Sequence, residues 1–409
     1  MASGLHQNQL HMEPETAASP RFALFGYGFR PFFLFAAFYA AIAVPVWVGI
    51  WRGDLGWMPA MPANLWHGHE MIFGFAVAAL AGFMLTAVPN WTGAAAIKGP
   101  PLMLLVGVWV AGRIAAFLPW PSLFAVVDLA FLPLLAVILG PGILIRNGRR
   151  NSILVGILLL LAAVNGVIHF DGYFDGWGMA DLSGGWGLNV AIAIFALLIG
   201  IIGGRIVPAF TQGGMKMAGV PFVITAHRVV DPAAVLSLVL NLLVNLLQAP
   251  EPVLGGAALL AAACNLLRFL RWQGWKTWPV PLVWILHIGY AWLIIGLVLT
   301  SVTDLTGTLS PTMGRHALTA GAFSTMILAV MSRAALGHTG RQLVASRKTV
   351  GAYMFLTAAV FFRVIAPLCG DMETTVVEAA ALLWSAAFLI FGILYLPILV
   401  LARPDGRPG

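Results

Sequence analysis

Charge is what this sequence lacks most. Charged residues make up 9% of its 409 residues, against about 25% in an ordinary soluble protein. Hydrophobic residues reach 60%, and a soluble globule cannot bury that much apolar side chain while keeping a polar surface. The net charge of +7 comes from scattered Lys and Arg, so no basic patch for nucleic acid is present. The composition excludes a cytosolic enzyme, a disordered protein and a nucleic-acid-binding protein, and predicts an all-α, polytopic membrane protein.

Cysteine is equally scarce. Cys264 and Cys369 lie far apart in apolar runs, without a CxxC pair or a CxxCH haem-attachment motif. Any haem in this protein is therefore expected to be held non-covalently. Residues 1–20 are polar, so no cleavable signal peptide is expected.

Long apolar runs dominate the rest of the chain. A helix that crosses ~30 Å of hydrocarbon needs about 20 such residues, and these runs are continuous rather than alternating as in a barrel. We expect a single membrane domain over 31–401, between cytoplasmic tails at 1–30 and 402–409. Twelve transmembrane helices are predicted, at 31–51, 69–90, 101–118, 122–145, 152–170, 187–209, 232–249, 252–271, 280–302, 315–336, 349–369 and 375–401.

Basic residues gather in alternate connections between these spans, the side that the positive-inside rule assigns to the cytoplasm. They are Lys98, Arg146, Arg149, Arg150, Lys216, Arg228, Arg271, Lys276, Arg341, Arg347 and Lys348. The opposite connections carry mostly acidic residues, namely Asp54, Asp171, Asp175, Asp181, Glu251, Asp304, Asp371 and Glu373. Arg21, Arg30, Arg403 and Arg407 lie in the tails. Both termini are therefore predicted to face the cytoplasm.

An internal similarity recurs every four spans. Spans 2, 6 and 10 end in LTAVPNWTG (85–93), RIVPAFTQGG (205–214) and SRAALGHTGR (332–341). Each closes on a small, Thr-containing turn. Two explanations stay open: convergent helix-end composition, or three repeated four-helix units.

Few ionisable residues fall inside the spans, where charge is costly and is usually paired or functional. Arg113 and Asp128 are predicted to pair near the outer face, as are Arg363 and Glu378. Each pair is either a structural clamp or a group with a proton or cofactor role. Arg205 has no evident acidic neighbour, so it either neutralises an anion or extends its charge to the headgroups.

Histidines carry most of the remaining chemistry. His6 and His11 lie in the polar tail and are expected to be solvated. Four of the others are predicted near the outer face, at His67, His69, His169 and His316, and three toward the inner face, at His227, His287 and His338. Imidazole binds haem iron, copper and zinc, and bundles draw such ligands from facing helices. The outer group therefore predicts a metal or haem site.

The motif Trp66-His67-Gly68-His69-Glu70 is the most specific of these features. Residues two apart on a regular helix point about 200° apart. His67 and His69 therefore cannot share one metal unless the helix is irregular there. They either face two different cofactors, or one of them binds a metal and the other supports a metal ligand from behind. Glu70 can orient an imidazole or supply a proton.

These stretches resemble the NnrS family, haem- and copper-containing bacterial membrane proteins associated with nitric oxide stress and denitrification. The resemblance implies a bacterial inner-membrane location, non-covalent haem b, copper and a role in handling nitric oxide. Carried over to this chain, its functional positions are His67, His69, Glu70, His287, His316 and His338. The matching segments are 28–37 (GFRPFFLFAA), 66–93 (WHGHEMIFGFAVAALAGFMLTAVPNWTG), 111–113, 205–211, 285–292 and 331–341.

By analogy with haem-copper oxidases, which also have twelve spans in three four-helix units and haem ligands on spans 2 and 10, one of His67 and His69 is paired with His316 around a haem. Reduction of nitric oxide to nitrous oxide needs protons, for which Glu70, Asp128 and Glu378 are the scarce donors, and an electron donor such as a quinol or a cytochrome. Glu70 is the predicted catalytic group. Residues expected to bind cofactor are His67, His69, His169, His316, Arg113 and Arg205, and expected metal ligands are His67, His69, His227, His287, His316 and His338.

Three functions stay open at this point. The first is an oxidoreductase that consumes nitric oxide near the outer face. The second is a non-enzymatic haem and copper protein that senses or sequesters nitric oxide. The third is a transporter of a metal or small ligand, which is weakest because the histidines avoid the membrane centre.

Overall fold

A computed structural model of the chain describes residues 22–57, 59–146, 152–171 and 183–407, with the side chains of 142–146 and 152 left undescribed. Within these ranges the regular elements are helices, and the prediction of an all-α fold is confirmed. Part of the sequence-based topology lies outside the described residues: His6, His11, Arg21, Arg149, Arg150, Asp175 and Asp181.

Nine described helices are long and apolar enough to cross a bilayer. They are α1 (Phe29–Trp51), α2 (Ala63–Thr92), α4 (Pro121–Pro141), α6 (Gly184–Met217), α8 (Glu251–Arg271), α9 (Pro281–Thr306), α10 (Pro311–His338), α11 (Arg347–Leu368) and α12 (Gly370–Val400). Three shorter apolar helices occupy the other predicted spans: α3 (Pro100–Ala115), α5 (Ile153–His169) and α7 (Val230–Leu246). The twelve helices agree with the predicted number and order.

Helix ends follow local chemistry. Proline, which has no N–H to lose in a first turn, begins α3, α4, α9 and α10. The Ser183 hydroxyl caps α6 by accepting the Trp186 N–H at 3.2 Å. Helix α2 starts at Ala63, directly after the extended Pro62, whereas the apolar pattern predicts a start at residue 69. The motif at 66–70 therefore lies inside the helix rather than at its tip.

Three helices contain π-helical segments, which are rare and often mark functional sites. The segments are Glu70–Ala76 in α2, Ile199–Gly203 in α6 and Ala317–Phe323 in α10. In α2 and α10 the segment has the same length and lies equally far from a left-handed glycine, Gly93 (φ 67°) or Gly340 (φ 69°). This parallel relates α2 to α10, and the plan of three four-helix units stays a prediction.

Helices α2, α6 and α10 form the centre of the bundle. Their most apolar windows are 78%, 72% and 72% buried, against 39% for α8 and for α12. Helices α1 and α12 pack side by side, and the Ala23 N–H donates to the Val400 carbonyl at 2.7 Å. The buried Arg30 guanidinium also donates to the carbonyls of Leu399 and Leu401, both at 2.8 Å. The first and last helices are thereby joined at the end of the bundle opposite the 66–70 motif.

Candidate functional site

His67 and His69 project from opposite sides of helix α2. His69 turns toward α4 and α5, where its ring lies 4.9 Å from that of His169. His67 turns toward α1 and α10, where its ring lies 6.4 Å from that of His316. The four histidines expected near the outer face therefore form two pairs, one on each side of α2.

The first pair belongs to a buried group that we call the acid–histidine cluster: His69, Glu70, Arg113, Asp128 and His169. The Nε2 atoms of His69 and His169 lie 3.2 and 3.0 Å from Asp128 Oδ2. The side chains of both histidines and Asp128 are at most 4% exposed. One ligand atom from each of these three residues lies within 4.8 Å of the others, so the group can hold a metal ion.

A second layer of hydrogen bonds fixes this cluster. Arg113 lies between the carboxylates, donating to Glu70 Oε2 at 2.9 Å and to Asp128 Oδ1. The predicted pair of Arg113 and Asp128 is confirmed, and Glu70 joins it as a second acidic partner. The Tyr39 hydroxyl also donates to Glu70 Oε2. Buried charges are tolerated when they are paired and hydrogen-bonded in this way.

Both ring nitrogens of His69 face acceptors. Nδ1 lies 2.8 Å from Glu70 Oε1 and is placed to donate a hydrogen bond to it. Nε2 lies 2.9 Å from Asn165 Oδ1 and 3.2 Å from Asp128 Oδ2. The Asn165 amide is oriented because its Nδ2 donates to Asp128 at 2.7 Å. The Nε2 position therefore needs either a second proton or a metal ion that binds the lone pair.

Tight packing keeps the cluster dry. The rings of Phe73 and Phe124 lie 5.2 Å from the His69 ring. A side chain at Gly74 would place its Cβ 2.7 Å from both Arg113 and Tyr39. Glycine at that position therefore lets the guanidinium approach α2. In this water-poor surrounding the charges interact more strongly than they would in solvent.

The second pair lines what we call the His67–His316 cavity, a space of about 390 Å³ between α1, α2, α6, α10, α11 and α12. His316 Nδ1 donates to the Thr312 carbonyl at 2.7 Å, which leaves the lone pair on Nε2. This arrangement is typical of metal-binding imidazoles. Trp47 stacks on His67 with ring centroids 4.2 Å apart. Among the described residues His67 Nδ1 is buried without a hydrogen-bond partner.

Charged side chains lie at the rim of the His67–His316 cavity. Arg363, Arg315 and Glu373 all line it, and Arg363 Nη1 is buried without a partner in the described part of the chain. The predicted pair of Arg363 and Glu378 is wrong, because Glu378 instead accepts from Arg52. Packing of α1 against α12 brings Arg52, just beyond the end of α1, to Glu378. The Arg363 charge is thereby left for the cavity.

The other predicted residues lie elsewhere. Arg205 is exposed on α6 and lines neither site. His287 bonds the Thr211 hydroxyl at 2.9 Å, and His338 packs 5.5 Å from the Phe29 ring. His227 Nδ1 accepts backbone N–H groups of the chain just after it. In the described ranges these three inner histidines form no group of three metal ligands.

Three residues of these sites were not predicted: Tyr39, Trp47 and Asn165. Asn165 carries a usable signal, because it is a polar residue one helical turn before His169 and therefore shares its face. Tyr39 and Trp47 lie in the aromatic-rich α1, where nothing in the pattern separates them from ordinary core residues.

No curated protein matches the chain. The family model described as NnrS protein matches residues 23–403, which includes both histidine pairs and all the helices. Membership points to a nitric-oxide-related membrane protein of a metal-binding family, and the His69–Asp128–His169 group could bind a metal. The chain belongs to the NnrS family.

Proposed function

We propose that this protein holds haem b and copper on the two sides of α2 and reduces nitric oxide to nitrous oxide there. The observation that carries the proposal is the division of donors around one helix. His67 and His316 line a large cavity, while His69, Asp128 and His169 form a compact group of ligand atoms. The first set suits a flat macrocycle and the second suits a bare ion.

The residues of the His67–His316 cavity fit a haem. His67 and His316 line the cavity together, with ring centres 6.4 Å apart, so these two imidazoles would be the residues that hold the haem. Trp47, Phe75 and Trp384 supply apolar walls. The unpartnered Nη1 of Arg363 is suited to a propionate, since guanidinium pairs well with carboxylates.

The residues of the acid–histidine cluster fit copper. Two imidazoles and one carboxylate form a nitrogen and oxygen donor set that copper accepts, as do zinc and iron. Glu70 orients His69 through Nδ1, the usual role of a carboxylate behind a ligating histidine. Family membership favours copper among these metals.

The overall reaction joins two nitric oxide molecules with two electrons and two protons to give nitrous oxide and water. A new N–N bond forms, and one N–O bond breaks as its oxygen leaves in water. Haem and copper would supply redox chemistry, with electrons that a quinol or cytochrome must provide. Glu70, hydrogen-bonded to both Tyr39 and His69, is placed to hold a proton beside the reaction and pass it on.

A second function, nitric oxide binding without turnover, is favoured by one observation. His67 and His316 both line the cavity as the residues that would hold the haem, so nitric oxide would have to compete with one of them. Such competition suits a sensor or a sequestering protein. The two functions share the same ligands and differ in whether product forms.

Anaerobic assay of the purified, haem- and copper-loaded protein separates these functions. With an artificial electron donor, we expect nitric oxide to disappear with one nitrous oxide formed for every two molecules consumed. A Glu70→Gln variant is expected to bind nitric oxide but to turn it over more slowly. The matched control is Glu373→Gln, the same change in the His67–His316 cavity, whose turnover is compared with that of Glu70→Gln. Full loading without nitrous oxide would refute the enzyme and leave the binding function.

A further inference from the structure

A second space adjoins the His67–His316 cavity between the central helices α2, α6 and α10. We call it the apolar chamber. It measures about 90 Å³ and is lined in part by Ala76, Ala79, Phe195, Ile202, Phe323 and Met326. Every lining side chain is apolar, although a single water needs only about 15 Å³ to fit. Water also needs two to four polar partners, so the chamber is large enough for water but chemically unsuited to it.

All three π-helical segments reach this chamber. Ala76 ends the segment of α2, Ile199 begins that of α6, and Phe323 ends that of α10. Each π turn widens its helix locally and displaces side chains from the regular pattern. The chamber therefore lies where the three central helices depart from regular geometry.

The apolar chamber and the His67–His316 cavity share a wall. Ala76 and Phe323 line both spaces. The Phe323 ring stacks on Phe195 with centroids 5.3 Å apart, and Ala76 presents only a methyl group opposite. Phe323 carries the large side chain that lines both spaces, so rotation of its ring is the movement that would join them.

The opposite side of the apolar chamber reaches toward the bilayer. Five of its lining residues are only half-buried: Phe83, Ile202, Ile206, Ile327 and Val330. They belong to α2, α6 and α10, all of which cross the membrane. A molecule dissolved in the hydrocarbon can approach the chamber here without passing through water.

We propose that the apolar chamber admits a small neutral gas from the bilayer and delivers it past Phe323 to the His67–His316 cavity. The chemistry selects the ligand class, because ions, protons and water find no partner on this path while a diatomic apolar gas needs none. Nitric oxide belongs to this class, and its identification as the physiological gas rests on the proposed function. Lipid acyl chains and water are the competing occupants.

Xenon tests the apolar chamber without any cofactor. Crystals or detergent-solubilised protein equilibrated with xenon should show a bound atom between Ala79 and Ile202, detected by anomalous scattering or xenon NMR. Ala79→Phe fills the chamber and should abolish this site, whereas Ala263→Phe, the same change at an exposed position on α8, should keep it. Absence of xenon from the unmodified protein, or ordered water or lipid in its place, would overturn the proposal.

Carbon monoxide binding tests delivery in the haem-loaded protein. Ala79→Phe should slow second-order binding after photolysis by at least about tenfold, equivalent to ~1.4 kcal/mol on the barrier. Phe323→Ala should speed it, and Ala263→Phe should leave it unchanged. If Ala79→Phe does not fold, Ala79→Leu and Phe323→Ala still give opposite expected changes. Equal rates in all variants would overturn the route, whereas lack of haem with retained xenon binding would refute only the proposed function.

Discussion

The two sides of α2 differ in how their polar groups are satisfied. In the acid–histidine cluster every carboxylate oxygen of Glu70 and Asp128 has a hydrogen-bond donor, although Arg113 Nε lacks a partner. In the His67–His316 cavity, polar nitrogens of His67, Trp47 and Arg363 are buried without partners within the described chain. Buried polar groups that a protein leaves unpaired are costly. Protein groups therefore hold the carboxylates of the first side in place, whereas the second side presents polar nitrogens that a ligand could bind.

Loss of the shared carboxylate should have the largest effect. Asp128→Ala removes the common partner of Arg113, His69 and His169, and should lower the free energy of unfolding by about 3–5 kcal/mol, as expected for a broken buried ion pair. Chemical denaturation in detergent measures it. Glu378→Ala breaks the partly exposed pair with Arg52 and should cost no more than about 1 kcal/mol. An equal loss of unfolding free energy in Asp128→Ala and Glu378→Ala would show that the buried and the partly exposed ion pairs do not differ in strength.

Removal of a cavity histidine should change cofactor binding more than stability. His316→Ala should abolish or convert the haem absorbance, while the free energy of unfolding of the cofactor-free protein falls by only about 1 kcal/mol for the lost Thr312 bond. His287→Ala, which also loses one hydrogen bond, should keep the haem spectrum. Loss of haem in His287→Ala but not in His316→Ala would show that the haem binds in the inner half of the membrane domain instead.

The unpaired guanidinium gives a smaller effect. Arg363→Gln should weaken haem binding roughly tenfold, because a hydrogen bond to a charged group contributes about 1.5 kcal/mol. Titration of cofactor-free protein with haem measures this. Arg205→Gln, at an exposed position of α6, should leave the affinity unchanged. A stronger effect at Arg205 would support the sequence-based assignment of that residue instead.

The smallest expected effect concerns Trp47. Trp47→Phe keeps an aromatic ring on His67 and removes a buried N–H that has no partner, so stability should change by less than about 1 kcal/mol. Trp47→Leu should cost about 1 kcal/mol more, since aromatic pairs contribute that much beyond their buried area. Thermal unfolding with and without haem distinguishes the two. A large loss in Trp47→Phe would mean that the indole nitrogen binds a group in the cavity.

The features that could be predicted from the sequence are those that helix geometry alone determines. The separation of His67 from His69 follows from the 100° turn per residue, and the proximity of Arg113 to Asp128 follows from a short connection between α3 and α4. The predicted pairing of Arg363 was wrong, because the position of α1 against α12 depends on packing across the whole chain. The start of α2 was also missed, because polar residues such as Asn64 and His67 interrupt the apolar pattern there. The π segments leave no periodic signal, so the chamber that they line could not be predicted.

In the function that we propose, each side of α2 holds a different cofactor. The test is to count haem and copper per chain in three purified proteins prepared side by side: the unmodified protein, the His67→Asn variant and the His69→Asn variant. Asparagine keeps a polar side chain at both positions. We expect His67→Asn to lose haem and keep copper, and His69→Asn to lose copper and keep haem. Loss of the same cofactor in both variants would contradict this proposal.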